Sequence, residues 1–168
     1  MSDSHSYAPL AYLISFRPYG TWLHGDERGS VDRHRNQYRS PTIARSDAWH
    51  RANAAAMKHP PVAFDIRRRS AVSAAVRETC DIRGWQLRAL NARTNHVHVV
   101  VSAPCRPEGI LSALKANATR QMREAGCWPY AYSPWAKGGS KRYLWDESSV
   151  LRAIAYVVDG QGEPLPEL

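Results

Sequence analysis

Short apolar runs, separated by glycine, proline and polar residues, predict alternating strands and helices along this chain of 168 residues. Residues 10–16 form an aromatic-rich apolar run that predicts a buried first strand. The run 96–102, with three consecutive valines, predicts the strongest strand, and 85–92 predicts its hairpin partner. A short edge strand is expected at 142–145.

Helical spacing of apolar residues appears in four further segments. Asp65 is expected to cap the first long amphipathic helix, and Gly84 to end it. Pro107 is expected to start the second long helix, and Gly126 to close it. The predicted helices cover 45–58, 66–83, the segment from Pro107 to Gly126, and 147–158.

The order of these elements is strand, helix, strand, strand, helix, strand and a final helix. This is the split βαβ pattern of ferredoxin-like folds. We therefore expect an α+β fold with one antiparallel sheet, helices on one face and a C-terminal helix. A single domain is expected over 1–168, with 1–10 as a flexible tail. The polar loop 21–42 is long enough to suggest a functional segment, although no role can be assigned to it.

His96 and His98 flank Val97 in the strongest predicted strand. Side chains at positions i and i+2 of a strand point to the same face, so both imidazoles project together. Two imidazoles on one face form a natural pair of divalent-metal ligands, and Mg²⁺ or Mn²⁺ would add oxygen ligands. The alternative is a pair of histidines on a solvated sheet face.

Tyr156 lies on the last predicted helix, almost opposite its apolar residues and on the same side as Arg152. A phenol presented outward beside a cation could attack a phosphate. Gln161, just past this helix, could supply a third metal ligand. The alternatives are an ordinary surface tyrosine and a solvated loop glutamine, and three other tyrosines compete as nucleophiles: Tyr130, Tyr132 and Tyr143. The apolar stripe predicted for this helix comprises Val150, Leu151, Ile154, Val157 and Val158.

A net charge of +8 and a pI of about 9.8 favour a polyanionic partner such as nucleic acid. The candidate DNA-binding cations are Lys115, Arg123, Lys137, Lys141, Arg142 and Arg152, with solvated surface charge as the alternative. The apolar content of 43% excludes a wholly disordered chain. Three cysteines, the lack of a membrane-spanning run and the lack of a signal-peptide core predict a reduced, cytoplasmic protein.

Two motifs carry a resemblance to a known family. Asn95-His-Val-His-Val-Val-Val101, followed downstream by Ala155-Tyr-Val-Val-Asp-Gly-Gln161, resembles the single-tyrosine HUH transposases. This family includes insertion-sequence transposases and the REP-associated tyrosine transposases. The resemblance runs from about Tyr12 to Gln161, and the spacing from tyrosine to glutamine is one residue longer than is common in the family.

The resemblance implies a ferredoxin-like catalytic domain acting on single-stranded DNA that forms hairpins. It implies that His96, His98 and Gln161 bind Mg²⁺ or Mn²⁺, and that Tyr156 forms a 5′-phosphotyrosine link. A homodimer is possible, with Tyr156 completing the site of its own chain or of a partner. The rival interpretations are a non-catalytic single-strand-binding domain with aromatic residues on its sheet, and an inactive or domesticated transposase.

Overall fold

A four-stranded antiparallel sheet lies at the centre of the computed structural model, which describes residues 8–21 and 47–166. Its order, β2-β3-β1-β4, is that of a split βαβ fold, so the predicted α+β class is confirmed. The two most apolar strands occupy the central positions, where both faces of the sheet are covered. The strands are β1 (Ala11–Phe16), β2 (Gln86–Ala92), β3 (Val97–Ser102) and β4 (Ser140–Leu144).

In the described ranges, four helices accompany the sheet: α1 (Asp47–Ala55), α2 (Ile66–Arg83), α3 (Pro107–Glu124) and α4 (Glu147–Asp159). The α2 helix begins and ends as predicted, since the Asp65 carboxylate accepts a hydrogen bond from the Arg68 amide at 2.9 Å and Gly84 adopts φ 66°. Together α2 and α3 cover one face of the sheet and enclose the larger apolar core. The largest fully buried side chains of that core include Trp128, Phe16, Phe64, Ile14 and Ile110.

The α4 helix packs against the opposite face, where it completes a second, smaller core. Its buried residues are Val150, Ala153 and Val157. The predicted stripe was wrong for Leu151 and Val158, which are 66% and 59% exposed. The small side chain of Ala153 lets this side of the helix approach the sheet. The helix is therefore rotated relative to the prediction, and Tyr156 lies on the flank of the buried side.

Some predicted boundaries move by one or two residues. His96 immediately precedes β3, and β4 begins two residues before its predicted start at Arg142. Leu10 is already fixed, because its amide donates to the Leu144 carbonyl at 2.8 Å. Residues 1–7 of the predicted tail, and all of the loop 21–42 except Thr21, lie outside the described residues. Within the described residues, no helix combines the length and the apolar character needed to cross a bilayer.

Candidate active site

His98 projects from the centre of the sheet toward α4. It pairs with Ser15 of β1 on one side and with Asn91 of β2 on the other. The Ser15 hydroxyl oxygen lies 2.6 Å from Nδ1 of His98, which leaves Nε2 as the ring nitrogen directed away from β1. Asn91 does not bond the imidazole; its amide donates to the Val157 carbonyl at 3.0 Å and ties α4 to the sheet.

The imidazole of His98 is 9% exposed. Its pKa is lowered to about 4, mainly by burial and also by the neighbouring His96, while the side chain of Gln161 opposes the shift. His98 is therefore neutral near physiological pH, the protonation state in which an imidazole nitrogen can coordinate a metal.

His96 lies beside His98, with the two ring centroids 4.7 Å apart. Its Nδ1 lies 2.6 Å from Oδ1 of Asn95, and its Nε2 lies 2.9 Å from Oε1 of Gln161. The orientation of the Gln161 amide is fixed by its own nitrogen, which donates to the Tyr156 carbonyl at 2.8 Å. Both ring nitrogens of His96 thus face oxygen acceptors, whereas a neutral imidazole can donate to just one of them.

This arrangement fits a cation. If Nδ1 of His96 donates to Asn95, its Nε2 lone pair and the Gln161 carbonyl oxygen are directed at the same region. A hydrogen bond from the second ring nitrogen of a histidine to an oxygen is the usual support of a metal-binding imidazole, and Ser15 can provide the same support for His98. The donor set is two imidazole nitrogens and one amide oxygen. In the described part of the chain, no cluster of three or more His, Cys, Asp or Glu side chains is placed to hold a metal.

Gln161 lies in the segment that follows α4, and two arginine side chains hold this segment in place. Arg93, at the start of the turn between β2 and β3, donates from its guanidinium to the Glu163 carbonyl at 2.8 Å. Arg69 of α2 donates to the Pro166 carbonyl at 2.7 Å. These two bonds fold residues 160–166 back over the β2 edge and keep Gln161 beside His96.

Tyr156 reaches the same location from α4. Its ring packs edge-to-face on His98 with 5.3 Å between centroids, and the residue is 47% exposed. The structure therefore brings together all four residues predicted for the catalytic and metal site within one chain: His96, His98, Tyr156 and Gln161.

The predicted DNA-binding cations are spread over several surfaces. Lys115 is partly buried, and its ammonium donates to the carbonyls of Ala136 at 2.8 Å and Gly138 at 2.5 Å. The pKa of Lys115 is lowered to about 8, mainly by burial and also by the charges of Lys141 and Arg17. This cation therefore stabilises the turn that precedes β4.

The remaining cations are exposed or lie at the edge strand. The guanidinium of Arg123 donates to the Tyr130 and Ala131 carbonyls, and that of Arg152 donates to two serine hydroxyls of its own helix. Lys137 is exposed. Lys141 pairs with Ile14 and so lies on the α2 and α3 side of the sheet, whereas Arg142 pairs with Leu13 and lies on the α4 side.

Sequence reasoning missed Ser15, Asn91 and Asn95 as supports of the site. A signal existed for Ser15, which is the one serine in the apolar run 10–16. Its partner 83 positions away could not be identified without the register of β1 and β3. Asn95 was visible beside the histidine pair, but nothing in the spacing showed that its side chain turns back to His96.

Comparisons with known proteins add two solved structures. One, from Deinococcus radiodurans and carrying a provisional description as a transposase, has a TM-score of 0.46 and 15% identity, and the match covers 94% of this chain and 95% of that one. The other is a REP-associated tyrosine transposase bound to a REP hairpin, with a TM-score of 0.47 and 9% identity over 94% of this chain and 70% of that one. No protein-family model and no curated protein matches the chain. At such low identities and TM-scores, neither structure assigns a role to an individual residue of this chain.

Proposed function

We propose that this protein cleaves and rejoins single-stranded DNA through a covalent tyrosine intermediate. The observation that carries the proposal is the meeting of a half-exposed tyrosine with two histidines, at ring distances of 5.3 Å from Tyr156 to His98 and 4.7 Å from His98 to His96. The net charge of +8 supports a phosphate-bearing substrate.

In the proposed cleavage step, the phenol oxygen of Tyr156 attacks the scissile phosphorus. A bond forms between this oxygen and phosphorus, and the bond from phosphorus to the 3′ oxygen breaks. The leaving oxygen takes up a proton, equivalent to the one lost by the phenol, and becomes a free 3′-hydroxyl. The downstream strand stays attached to Tyr156 through its 5′ phosphate.

Rejoining is the reverse reaction with a 3′-hydroxyl from another strand end. Each step exchanges one phosphate ester for another, so no energy cofactor is required. The enzyme would thereby transfer strands as well as cut them, which is the chemistry of transposition.

His96, His98 and Gln161 are the residues that would hold Mg²⁺ or Mn²⁺. When bound, the cation supplies charge neutralisation at the scissile phosphate. Ser15 and Asn95 fix the imidazole orientations, the neutral state of His98 keeps its lone pair available, and residues 160–166 hold the glutamine oxygen.

A non-catalytic domain that stacks bases on an open sheet is less well supported. In such domains the strand residues facing the bases are aromatic. Here the central strand presents His98 on the relevant face, and α4 covers the neighbouring positions Leu13 and Val100.

The proposal is tested with a labelled hairpin oligonucleotide that has a single-stranded flank, incubated with the protein and Mn²⁺. Denaturing gels should show a labelled protein adduct and a shortened oligonucleotide. Tyr156→Phe should abolish the adduct while binding, measured by fluorescence anisotropy, persists. His96→Ala should abolish metal-dependent cleavage.

Tyr143→Phe provides the matched control, because it removes one phenol oxygen from an exposed ring on β4 that packs on Tyr12 and Trp145. This variant should form the adduct normally. An adduct that persists in Tyr156→Phe, or full cleavage in EDTA, would overturn the proposal.

A further inference from the structure

A cavity of about 680 Å³ lies beyond the end of β1. Arg17, the first residue after this strand, lies in its wall. The volume is within the range of small-molecule sites, ~300–1,000 Å³. The cavity is therefore large enough for a nucleotide.

Aromatic rings form one wall of this cavity. The rings of His59 and Tyr132 stack in parallel, with centroids 3.7 Å apart and an interplanar angle of 2°. Tyr130, which is 45% exposed, extends the stack from the other side of Tyr132 at 5.2 Å. Because Tyr132 is stacked on both sides, His59 is the ring at the cavity end of the stack. A ring in this position can stack on an unpaired base, whichever base is present. Trp135 also touches the cavity, but it is a core residue, 6% exposed.

Cations line another side. Lys115 and Lys137 lie in the wall, and the charge of Lys141 is near enough to lower the pKa of Lys115. Among the described residues that line the cavity, none is acidic. Two of the three ammonium protons of Lys115 are directed at carbonyl oxygens, which leaves one for a ligand. A phosphate would relieve the repulsion between these like charges.

We propose that this cavity binds one unpaired nucleotide of the DNA strand, with the base on the His59 ring at the end of this stack and the phosphate at Lys115 and Lys137. The inference rests on the proposed function, because that function supplies the strand. It adds a position at which the protein itself contacts a base, away from the scissile phosphate.

The test uses Tyr156→Phe protein in EDTA, so that no cleavage can occur, and two fluorescent single-stranded oligonucleotides of equal length. One carries bases of mixed sequence and the other is abasic, with the same phosphates. Added to this background, His59→Leu should reduce affinity for the base-bearing strand roughly five- to hundredfold, the range for loss of one stacked base. It should leave affinity for the abasic strand unchanged.

Matched variants separate stacking from charge and from misfolding. His59→Phe keeps an aromatic ring and should keep the preference for bases. Lys115→Met should weaken binding of both strands, whereas Arg83→Met, an equal loss of charge at the far end of α2, should weaken binding less. Equal binding of both strands by the Tyr156→Phe protein, or an unchanged preference in His59→Leu, would overturn the inference.

Photochemical cross-linking gives an independent measurement on the unmodified protein. A strand containing 5-iododeoxyuridine should cross-link to the wall of the cavity, at Tyr132 or His59, when mapped by mass spectrometry. Cross-links confined to other aromatic residues would contradict the inference.

Competition with free deoxynucleoside monophosphates separates the two sources of the ligand. If these bind and the strand does not displace them, the cavity serves a free nucleotide and the inference is wrong.

Failure of this inference and failure of the proposed function are distinguishable. The base preference is measured without metal and without the nucleophile, whereas covalent adduct formation requires both. A protein with the preference but no adduct would retain this nucleotide site and lose the enzymatic assignment. A protein that forms the adduct but has no preference for bases would keep the enzymatic assignment and lose this nucleotide site.

Discussion

The hydroxyl oxygen of Ser15 lies 2.6 Å from Nδ1 of His98, across the pairing of the two central strands. This contact fixes the ring of a buried imidazole whose other nitrogen is the proposed metal ligand. A hydrogen bond of this kind sets the tautomer and the orientation of a metal-binding histidine.

Ser15→Ala should therefore weaken metal use more than it weakens folding. We expect the Mn²⁺ concentration for half-maximal cleavage to rise roughly ten- to hundredfold, the usual cost of losing such a support. The measurement is a Mn²⁺ titration of cleavage on denaturing gels, with the melting temperature recorded in parallel. Ser15→Thr keeps the hydroxyl and should restore most of the metal response. An unchanged titration in Ser15→Ala would show that the contact has no role in metal binding.

Ala153→Leu should displace the nucleophile. Ala153 is 7% exposed where α4 meets the sheet, so a larger side chain must push the helix outward and move Tyr156 away from His98. We expect a loss of about 1–3 kcal/mol in the free energy of unfolding by urea, together with reduced adduct formation. Ala155→Leu adds the same volume at an exposed position of the same helix and should change stability by no more than ~0.5 kcal/mol. Equal effects of the two substitutions would contradict the described packing of α4.

Arg93→Ala should reduce cleavage through Gln161. Its guanidinium holds the Glu163 carbonyl, two residues after the glutamine. The loss should be smaller than that of Gln161→Ala, and the double variant should lose little more than Gln161→Ala alone, because both substitutions act on one unit. Arg88→Ala, at an exposed position of the preceding strand β2, is the control and should cleave normally. If the losses of cleavage in the two single variants added up in the double variant, Arg93 would not act through Gln161.

Lys115 should make stability depend on pH in the alkaline range. Its pKa falls from 10.5 to about 8 in the folded protein, so between these values the unfolded chain binds more protons than the folded chain. Stability contributed by this residue therefore rises as pH increases from 8 toward 10.5. Urea unfolding should show that the free energy of unfolding of the wild type, relative to that of Lys115→Met, is larger at pH 9.5 than at pH 7.5. The other charged or titratable groups around the ammonium are present in both proteins, and they are Arg17, Tyr19, His59, Tyr132, Lys137 and Lys141. A constant gap between the two proteins would refute the prediction.

Local patterns in the sequence predicted the α+β architecture because strands and helices here are bounded by strong signals. The Asp65 side chain caps the start of α2, and the left-handed backbone of Gly84 ends it. Both effects act within a few residues of the chain. The sequence also predicted that the two histidines share one face of the sheet, since the alternation of side chains along a strand does not depend on tertiary contacts.

The helix face of α4 could not be predicted in this way. Apolar character pointed to Leu151 and Val158, whereas the sheet accepts the side bearing Ala153, whose small size permits close approach. The role of Ser15 depended on strand register, and the cavity beyond β1 depends on side chains from four separate segments. These features arise from contacts between distant parts of the chain, and such contacts cannot be predicted from the local patterns of a single sequence.

The sheet separates two apolar cores of unequal size, and the proposed imidazole ligands and the nucleophile depend on different ones. His98 belongs to the central strand, which cannot be released without global unfolding, whereas Tyr156 depends on the contacts of one terminal helix with the smaller core. Helices attached in this manner open locally at a lower free-energy cost than the whole domain. For the proposed strand transfer, the fraction of folded molecules that are competent would thus be set by the docking equilibrium of α4, a quantity that can vary while the melting temperature stays constant.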